Sequence, residues 1–385
     1  MNFDEVNNRH HTYSTQWDFI ADRFGESDLL PFSISDTDFR SPDEVVDVCD
    51  RIVKRGIYGY TRWNHHDYKG AIKDYYQRRH NTDISEDWIV YSPSVIYTAA
   101  KLIEILTDEG DGICVFEPMY DAFYHLIENN HRKIISSRLI SHNGHYEIDF
   151  NDLEEKMKQA KLFLLCSPHN PTGRVWTEEE LTHILQLCNT YHLPVISDEI
   201  HSDLIQKGYV HHPVLQFQKE RTFLLSSASK TFNTPGLGGS YAVIPDQDIR
   251  ERFEEQTRYK DFVNSASLLS VHALITAYNK CDYYIDELTE YVRHNFLLVK
   301  EFADTHEGIS FTMPESTYLA WIDVSGLPCD DVQLQEALVK KGKVGIMNGK
   351  VYGDAHYLRM NVGAPASKVK EGLRRFDTAL QYLQK

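Results

Sequence analysis

The chain's 385 residues, 42% of them hydrophobic and 12% aromatic, have the composition of an ordinary globular protein, with enough length for a large core and two or three domains. A net charge of −17 argues against nucleic acid or an anionic membrane as the main partner, since either needs a clustered basic face, and no apolar run is long enough to span a bilayer. The six cysteines lack paired spacing and several stand in apolar runs, as reduced, buried thiols of a cytosolic protein do, and Met1-Asn2-Phe3-Asp4-Glu5 lacks the basic-then-apolar pattern of a signal peptide.

The first forty residues are irregular and aromatic, and end in Leu30-Pro31-Phe32-Ser33-Ile34-Ser35-Asp36-Thr37-Asp38-Phe39, an extended segment whose alternating apolar residues need cover. Ser41 at the N-cap, Pro42 in the first turn and Glu44 at the third position predict a capping box before the periodic Val45, Val48, Ile52 and Val53, with Gly56 ending the helix. Tyr58-Gly59-Tyr60-Thr61-Arg62-Trp63 is too aromatic for a mere linker and leads into a helix over residues 71–79. From Trp88 onward strands alternate with helices, the signature of a parallel sheet with helical crossovers. The strands are predicted at 89–91, 113–116, 162–166, 195–197, 222–225 and 241–244.

After the first strand, Ser92-Pro93-Ser94 opens a helix through Ala99, Ile103 and Leu106, whose N-terminus is a ready anion site. A second capping box is predicted at Thr177 and Glu180. Beyond about residue 280 a long helix over 283–302, short strands and a terminal helix from Ser367 suggest a separate α+β domain that the N-terminal segment joins. The expected organisation is therefore α/β: residues 1–48 as a segment of the small domain, 49–282 as the large domain and 283–385 as the small α+β domain. None of the 19 histidines falls in a metal-binding spacing, and His65-His66 and His211-His212 read as loop residues.

The chemistry gathers at strand ends. Lys230 follows the strand at 222–225 through Ser226-Ser227-Ala228-Ser229, and ligands of open α/β sheets bind at the carboxyl ends of strands. A desolvated lysine there is nucleophilic toward an aldehyde, with neighbouring hydroxyls for a phosphate, so the segment reads as a Schiff-base lysine holding pyridoxal phosphate; the bland reading is a solvated lysine after a turn. Asp198 either pairs with a pyridinium nitrogen or caps a helix. Asn170, in Ser167-Pro168-His169-Asn170-Pro171-Thr172-Gly173, either donates to the cofactor's phenolic oxygen or makes an Asn-Pro turn. Tyr120 offers an aromatic face or is a core tyrosine. Arg359 suits a substrate carboxylate through a bidentate fork, or is an exposed strand residue. Four such signals in the expected order favour the cofactor reading.

These motifs, with Tyr91-Ser92-Pro93-Ser94-Val95, Asn170-Pro171-Thr172-Gly173-Arg174, Ser197-Asp198-Glu199-Ile200-His201-Ser202-Asp203-Leu204 and Arg359-Met360-Asn361-Val362-Gly363, resemble fold-type I pyridoxal phosphate enzymes of the aspartate aminotransferase superfamily. The resemblance covers nearly the whole chain and is nearest to the MalY/PatB-type cystathionine β-lyase branch. It implies a mostly parallel central sheet flanked by helices, plus the small domain. It also implies that Lys230 bonds the cofactor, Asp198 holds the pyridine nitrogen and Asn170 the phenolic oxygen. The backbone amides of Val95 and Ile96, with Ser227 and Ser229, would hold the phosphate. Tyr120 would stack on the ring and share in catalysis and substrate binding, and Arg359 would bind the α-carboxylate.

Tyr58 matches a tyrosine that reaches the neighbouring subunit's phosphate, which implies a homodimer with shared sites. His201, three residues after Asp198, stands where many aminotransferases carry tyrosine and matches the lyase branch; Gly238, eight residues after Lys230, stands where many relatives carry a phosphate-binding arginine. The implied activity is β-elimination from L-cystathionine or a related L-cysteine S-conjugate. An aminotransferase, and a cofactor-binding regulator, are the alternatives.

Overall fold

Seven short strands, five of them entirely buried, carry the fold. In this computed structural model, which describes residues 1–384, they form one sheet in the order Ile89–Ser92, Ser240–Val243, Thr222–Ser226, Val195–Asp198, Leu162–Cys166, Gly112–Glu117 and Lys133–Arg138. All neighbours are parallel except at Ser240–Val243, which runs against both of its partners. Burial on both faces explains the near-continuous apolar runs from which six of the seven strands were legible. Lys133–Arg138 is an edge strand, paired on one side only and part-exposed, and its mixed Lys-Ile-Ile-Ser-Ser-Arg sequence hid it.

Local signals set most helix ends. Thr177 and Glu180 form the expected capping box at the start of Glu178–Thr190, and Gly56 ends Asp43–Arg55 in the left-handed conformation at φ 68°. Ser41 departs from expectation. Pro42 is the N-cap of that helix with no side-chain cap, and the Ser41 hydroxyl instead donates to the Phe232 carbonyl at 2.8 Å, a tertiary partner that displaces the local one. Of the paired histidines, His211 and His212 lie in a loop as expected and His66 departs from that reading. His65 caps His66–His80 by accepting from the Tyr68 N–H, His66 is that helix's first residue, and His211 is buried with Nε2 3.0 Å from the Glu199 carboxylate.

The C-terminal part holds a three-stranded antiparallel sheet of Leu319–Asp323, Tyr357–Asn361 and Met347–Asn348. The helix Asp282–Asp304 buries Ile285, Leu288, Val292, Phe296 and Val299, one stripe at helical spacing, and Ala366–Leu383 packs beside it. Leu30–Pro31 pairs in parallel with Val344–Gly345, which ties the N-terminal segment to this part of the chain. Lys385, the end of the expected small domain, lies outside the described residues. All six cysteines are free; Cys49, midway along Asp43–Arg55, and Cys329, just before Asp331–Ala337, are only partly buried, unlike the expectation for the set. Among the described residues no helix is long and apolar enough to cross a membrane.

Candidate active site

Parallel pairing brings Glu117, Cys166, Asp198 and Ser226 to one edge of the sheet, and the two antiparallel pairings of Ser240–Val243 add its first residue, Ser240, and Ser92 opposite it. A cavity of about 200 Å³ lies there, lined by Val95, Ile96, Tyr120, Asn170, Asp198, His201, Ser227, Ser229 and Lys230 among others. Nine of the eleven residues singled out from the sequence therefore meet in one place. Arg359 stands behind Asn170, outside the lining, and Tyr58 lies elsewhere, 63% exposed with its hydroxyl on the Val53 carbonyl.

Lys230 follows Thr222–Ser226 in a single turn held by Phe232 N–H on the Ala228 carbonyl, and its Nζ donates to the Ser35 carbonyl at 2.6 Å. Burial lowers its amine to about 8, partly opposed by the nearby Asp36 carboxylate. Asp198 is shifted the other way: burial raises its carboxyl to about 7, although Oδ1 accepts the Ile200 N–H at 3.1 Å. No helix starts after Asp198, so it is not a helix cap; its Oδ1 contact is a local turn, and the buried carboxylate lines the cavity. Strand alternation puts its neighbours on the other face, where the Ser197 hydroxyl donates to Glu199. Burial and the nearby Lys230 and Arg359 charges push His201 down to about 3, so it is a neutral imidazole, and its Nδ1 is buried without a partner.

Arg359 is 3% exposed, which overturns the exposed-arginine alternative. It donates to Asn170 Oδ1 at 3.1 Å and to the Ser33 carbonyl at 3.0 Å, lies over the Tyr352 ring at 4.3 Å, and leaves Nε unpartnered. The contact with Oδ1 fixes the Asn170 amide so that its Nδ2 remains free to donate. Ser94 caps Val95–Leu106 by accepting from Tyr97, which leaves the first-turn N–H groups of Val95 and Ile96 without intrahelical acceptors at the cavity. The Ser227 hydroxyl donates to the Gly239 carbonyl and accepts from Ser229 N–H, so in this geometry Ser229 has the freer hydroxyl. Gly239 has φ 89°, and a Cβ there would collide with Ser270. Burial raises the Tyr120 phenol to about 12, so it stays protonated.

The profile described as "Aminotransferase class I and II" matches residues 27–376. The chain belongs to this family. Within the aminotransferase class I and II family it lies in the MalY/PatB branch: it is 37% identical to Protein MalY of Escherichia coli K12 over 99% of both chains, and 34% identical to Cystathionine beta-lyase PatB of Bacillus subtilis 168 over 99% of this chain and 100% of PatB. Cystalysin from Treponema denticola, whose structure contains a pyridoxal 5′-phosphate cofactor, superposes with a TM-score of 0.95 at 32% identity, covering 99% of each chain.

The donor set of this family member fits that cofactor. A buried carboxylate that forms no ion pair with a described residue suits a ring N–H⁺, the free Asn170 Nδ2 suits a ring oxygen, and the Ser229 hydroxyl with the N–H groups of Val95 and Ile96 suits a phosphate.

The sequence reading missed a strap over residues 33–39 that closes one wall of this aminotransferase-family site. Asn361 Nδ2 donates to Asp36 O at 2.6 Å and also to the Ile34 carbonyl; Asn233 Nδ2 donates to the Thr37 and Phe39 carbonyls; the Tyr318 hydroxyl shares the Ser35 carbonyl with Lys230. These contacts run through main-chain atoms, which carry no side-chain signature. Asp203 was also missed: it accepts from Thr231 and Tyr75, each at 2.6 Å, and steadies the residue after Lys230. Its place five residues after Asp198 in the quoted motif was the available signal.

Proposed function

We propose that this chain is a pyridoxal-phosphate-dependent carbon–sulfur β-lyase acting on L-cystathionine or a related S-conjugate of L-cysteine. The carrying observation is one buried cavity that holds an amine with lowered proton affinity and a carboxylate with raised proton affinity. Pyridoxal phosphate, when bound, supplies an aldehyde for an amine and a ring that delocalises the electron pair left on Cα. Lys230 would hold the cofactor and, as a free amine, would take the Cα proton; an amine near 8 is a competent base at neutral pH, and it would return that proton to the departing sulfur.

Asp198 would hold the protonated ring nitrogen of the bound cofactor and Asn170 its ring oxygen. Arg359, pre-oriented by Asn170 and Ser33, grips the α-carboxylate, while Tyr120 covers the ring and His201 lines the wall as a neutral group. With one water consumed, L-cystathionine gives homocysteine, pyruvate and ammonia. The name of PatB and the lyase-type His201 support elimination over transamination.

The purified protein with L-cystathionine and no keto acid is expected to release pyruvate, thiol and ammonia in equal amounts over many turnovers. Arrest after one equivalent, with resumption on adding 2-oxoglutarate, would establish the aminotransferase instead, and no turnover under either condition would leave the regulator. We also propose a homodimer in which the exposed Tyr58 reaches the partner's phosphate site. Mixing Tyr58→Ala and Lys230→Ala proteins should then restore activity through hybrid sites, and a fully active monomer rules the arrangement out. Six unpaired cysteines support a reducing, cytoplasmic setting.

A further inference from the structure

A second cavity, of about 420 Å³, lies between segment 202–211, the end of the helix His66–His80 and the first turns of the helix Asp282–Asp304. It shares no lining residue with the cavity at Lys230. Two of its polar side chains are buried and unpartnered. Gln206 is 3% exposed, yet neither its amide nitrogen nor its amide oxygen has a hydrogen-bond partner, and His80 Nε2 stands 3.7 Å from Asp203, beyond hydrogen-bond reach. Buried amides without partners are rare in folded chains because both groups were solvated before folding, so such a group points to an occupant.

The charges sort into used and unused. Arg79 pairs with Asp286 at 3.0 Å, and Asp203 is taken by Thr231 and Tyr75. Arg293 and Glu290, three residues apart on one helix and therefore on one face, form no ion pair with each other or with any other described residue. Tyr209 and Val210 stand at the same cavity, 47% and 65% exposed, as uncovered apolar surface. Two free cations, Arg293 and the exposed Lys207, one free anion, an amide with donor and acceptor both unpartnered, and an adjoining apolar rim complement a zwitterion with an aliphatic tail.

We propose that this cavity is a second binding site, for a free aliphatic α-amino acid. Its carboxylate meets Arg293 and the Gln206 Nε2, its ammonium meets Glu290 and the Gln206 Oε1, and its side chain lies on Tyr209 and Val210. The site is separate from catalysis, so binding there does not depend on the lyase reading.

The test is calorimetric titration of L-methionine into holoenzyme whose Lys230 has been blocked by borohydride reduction, with Arg293→Ala and Gln206→Leu as variants. One saturable site per chain is expected. Each variant should weaken it at least tenfold, as should removing either ligand charge in N-acetyl-L-methionine or L-methionine methyl ester. Unreduced Arg293→Ala should release pyruvate from L-cystathionine at the wild-type rate, which shows an intact fold. No saturable binding at millimolar ligand would mean the cavity holds water only, and binding equal in wild type and both variants would place the ligand elsewhere; either result overturns the proposal. Failure of the lyase reading shows separately, as absence of turnover.

Discussion

Replacing Asp198 by asparagine keeps an oxygen to accept the Ile200 N–H and removes the charge. In the cofactor-free protein the carboxyl holds its proton up to about 7, against 3.8 in an unfolded chain. The folded state therefore binds more protons between those values, and wild-type stability falls as pH rises through the window. At about 1.36 kcal/mol per pH unit, the cost of ionising Asp198 climbs from nothing below 3.8 to about 4 kcal/mol above 7.

Part of that figure is returned in the variant, because Lys230 loses one of its three attractive neighbours; Asp36, the largest, and Asp121 remain. Cofactor-free Asp198→Asn should thus match the wild type near pH 4 and exceed it by roughly 2–4 kcal/mol at pH 8. Urea unfolding of both proteins across this range reads the difference directly. Added pyridoxal phosphate should reverse the order at pH 8, because only the wild type gains the ring-nitrogen pairing. Two stability curves that run parallel with pH would refute the buried carboxylate of raised proton affinity on which the reasoning rests.

Cofactor capture by the cofactor-free protein should quicken with pH around a midpoint near 8, because the neutral Lys230 amine is the reactive form; a midpoint near 10.5 would mean a solvated lysine. Arg359→Lys, which cannot hold Asn170, Ser33 and a carboxylate together, should raise KM for L-cystathionine by roughly 10- to 100-fold, about 1.5–3 kcal/mol, with cofactor content unchanged. An unchanged KM would put the carboxylate elsewhere. Asn233→Ala removes side-chain bonds to the Thr37 and Phe39 carbonyls and from the Thr37 N–H, and should cost roughly 2–4 kcal/mol and speed amide exchange at Thr37. Protection equal to wild type would show that the strap is held by other contacts.

What could be read from the sequence divides by the range of the interaction. The strands at Leu162–Cys166 and Thr222–Ser226 were legible because burial on both faces leaves an uninterrupted apolar run, and Thr177 with Glu180 because a capping box is complete within four residues. Lys230, Asp198 and Asn170 stood out because each follows such a run. Ser41 misled because its cap competes with a carbonyl 191 residues away. The Ser35 carbonyl beneath Lys230 and the unpartnered Gln206 amide left no trace, since one is main chain and the other is defined by what it does not touch.

Asp198 and Glu199 are consecutive carboxylates that face opposite ways: the first into the catalytic cavity, the second into a niche where it meets Ser197, His211 and the Val214 N–H. Because side chains alternate along a strand, a single-residue insertion or deletion in Val195–Asp198 would exchange the two niches, turning a longer carboxylate toward the cavity and stranding the imidazole of His211. Length along this stretch is therefore as tightly fixed as residue identity.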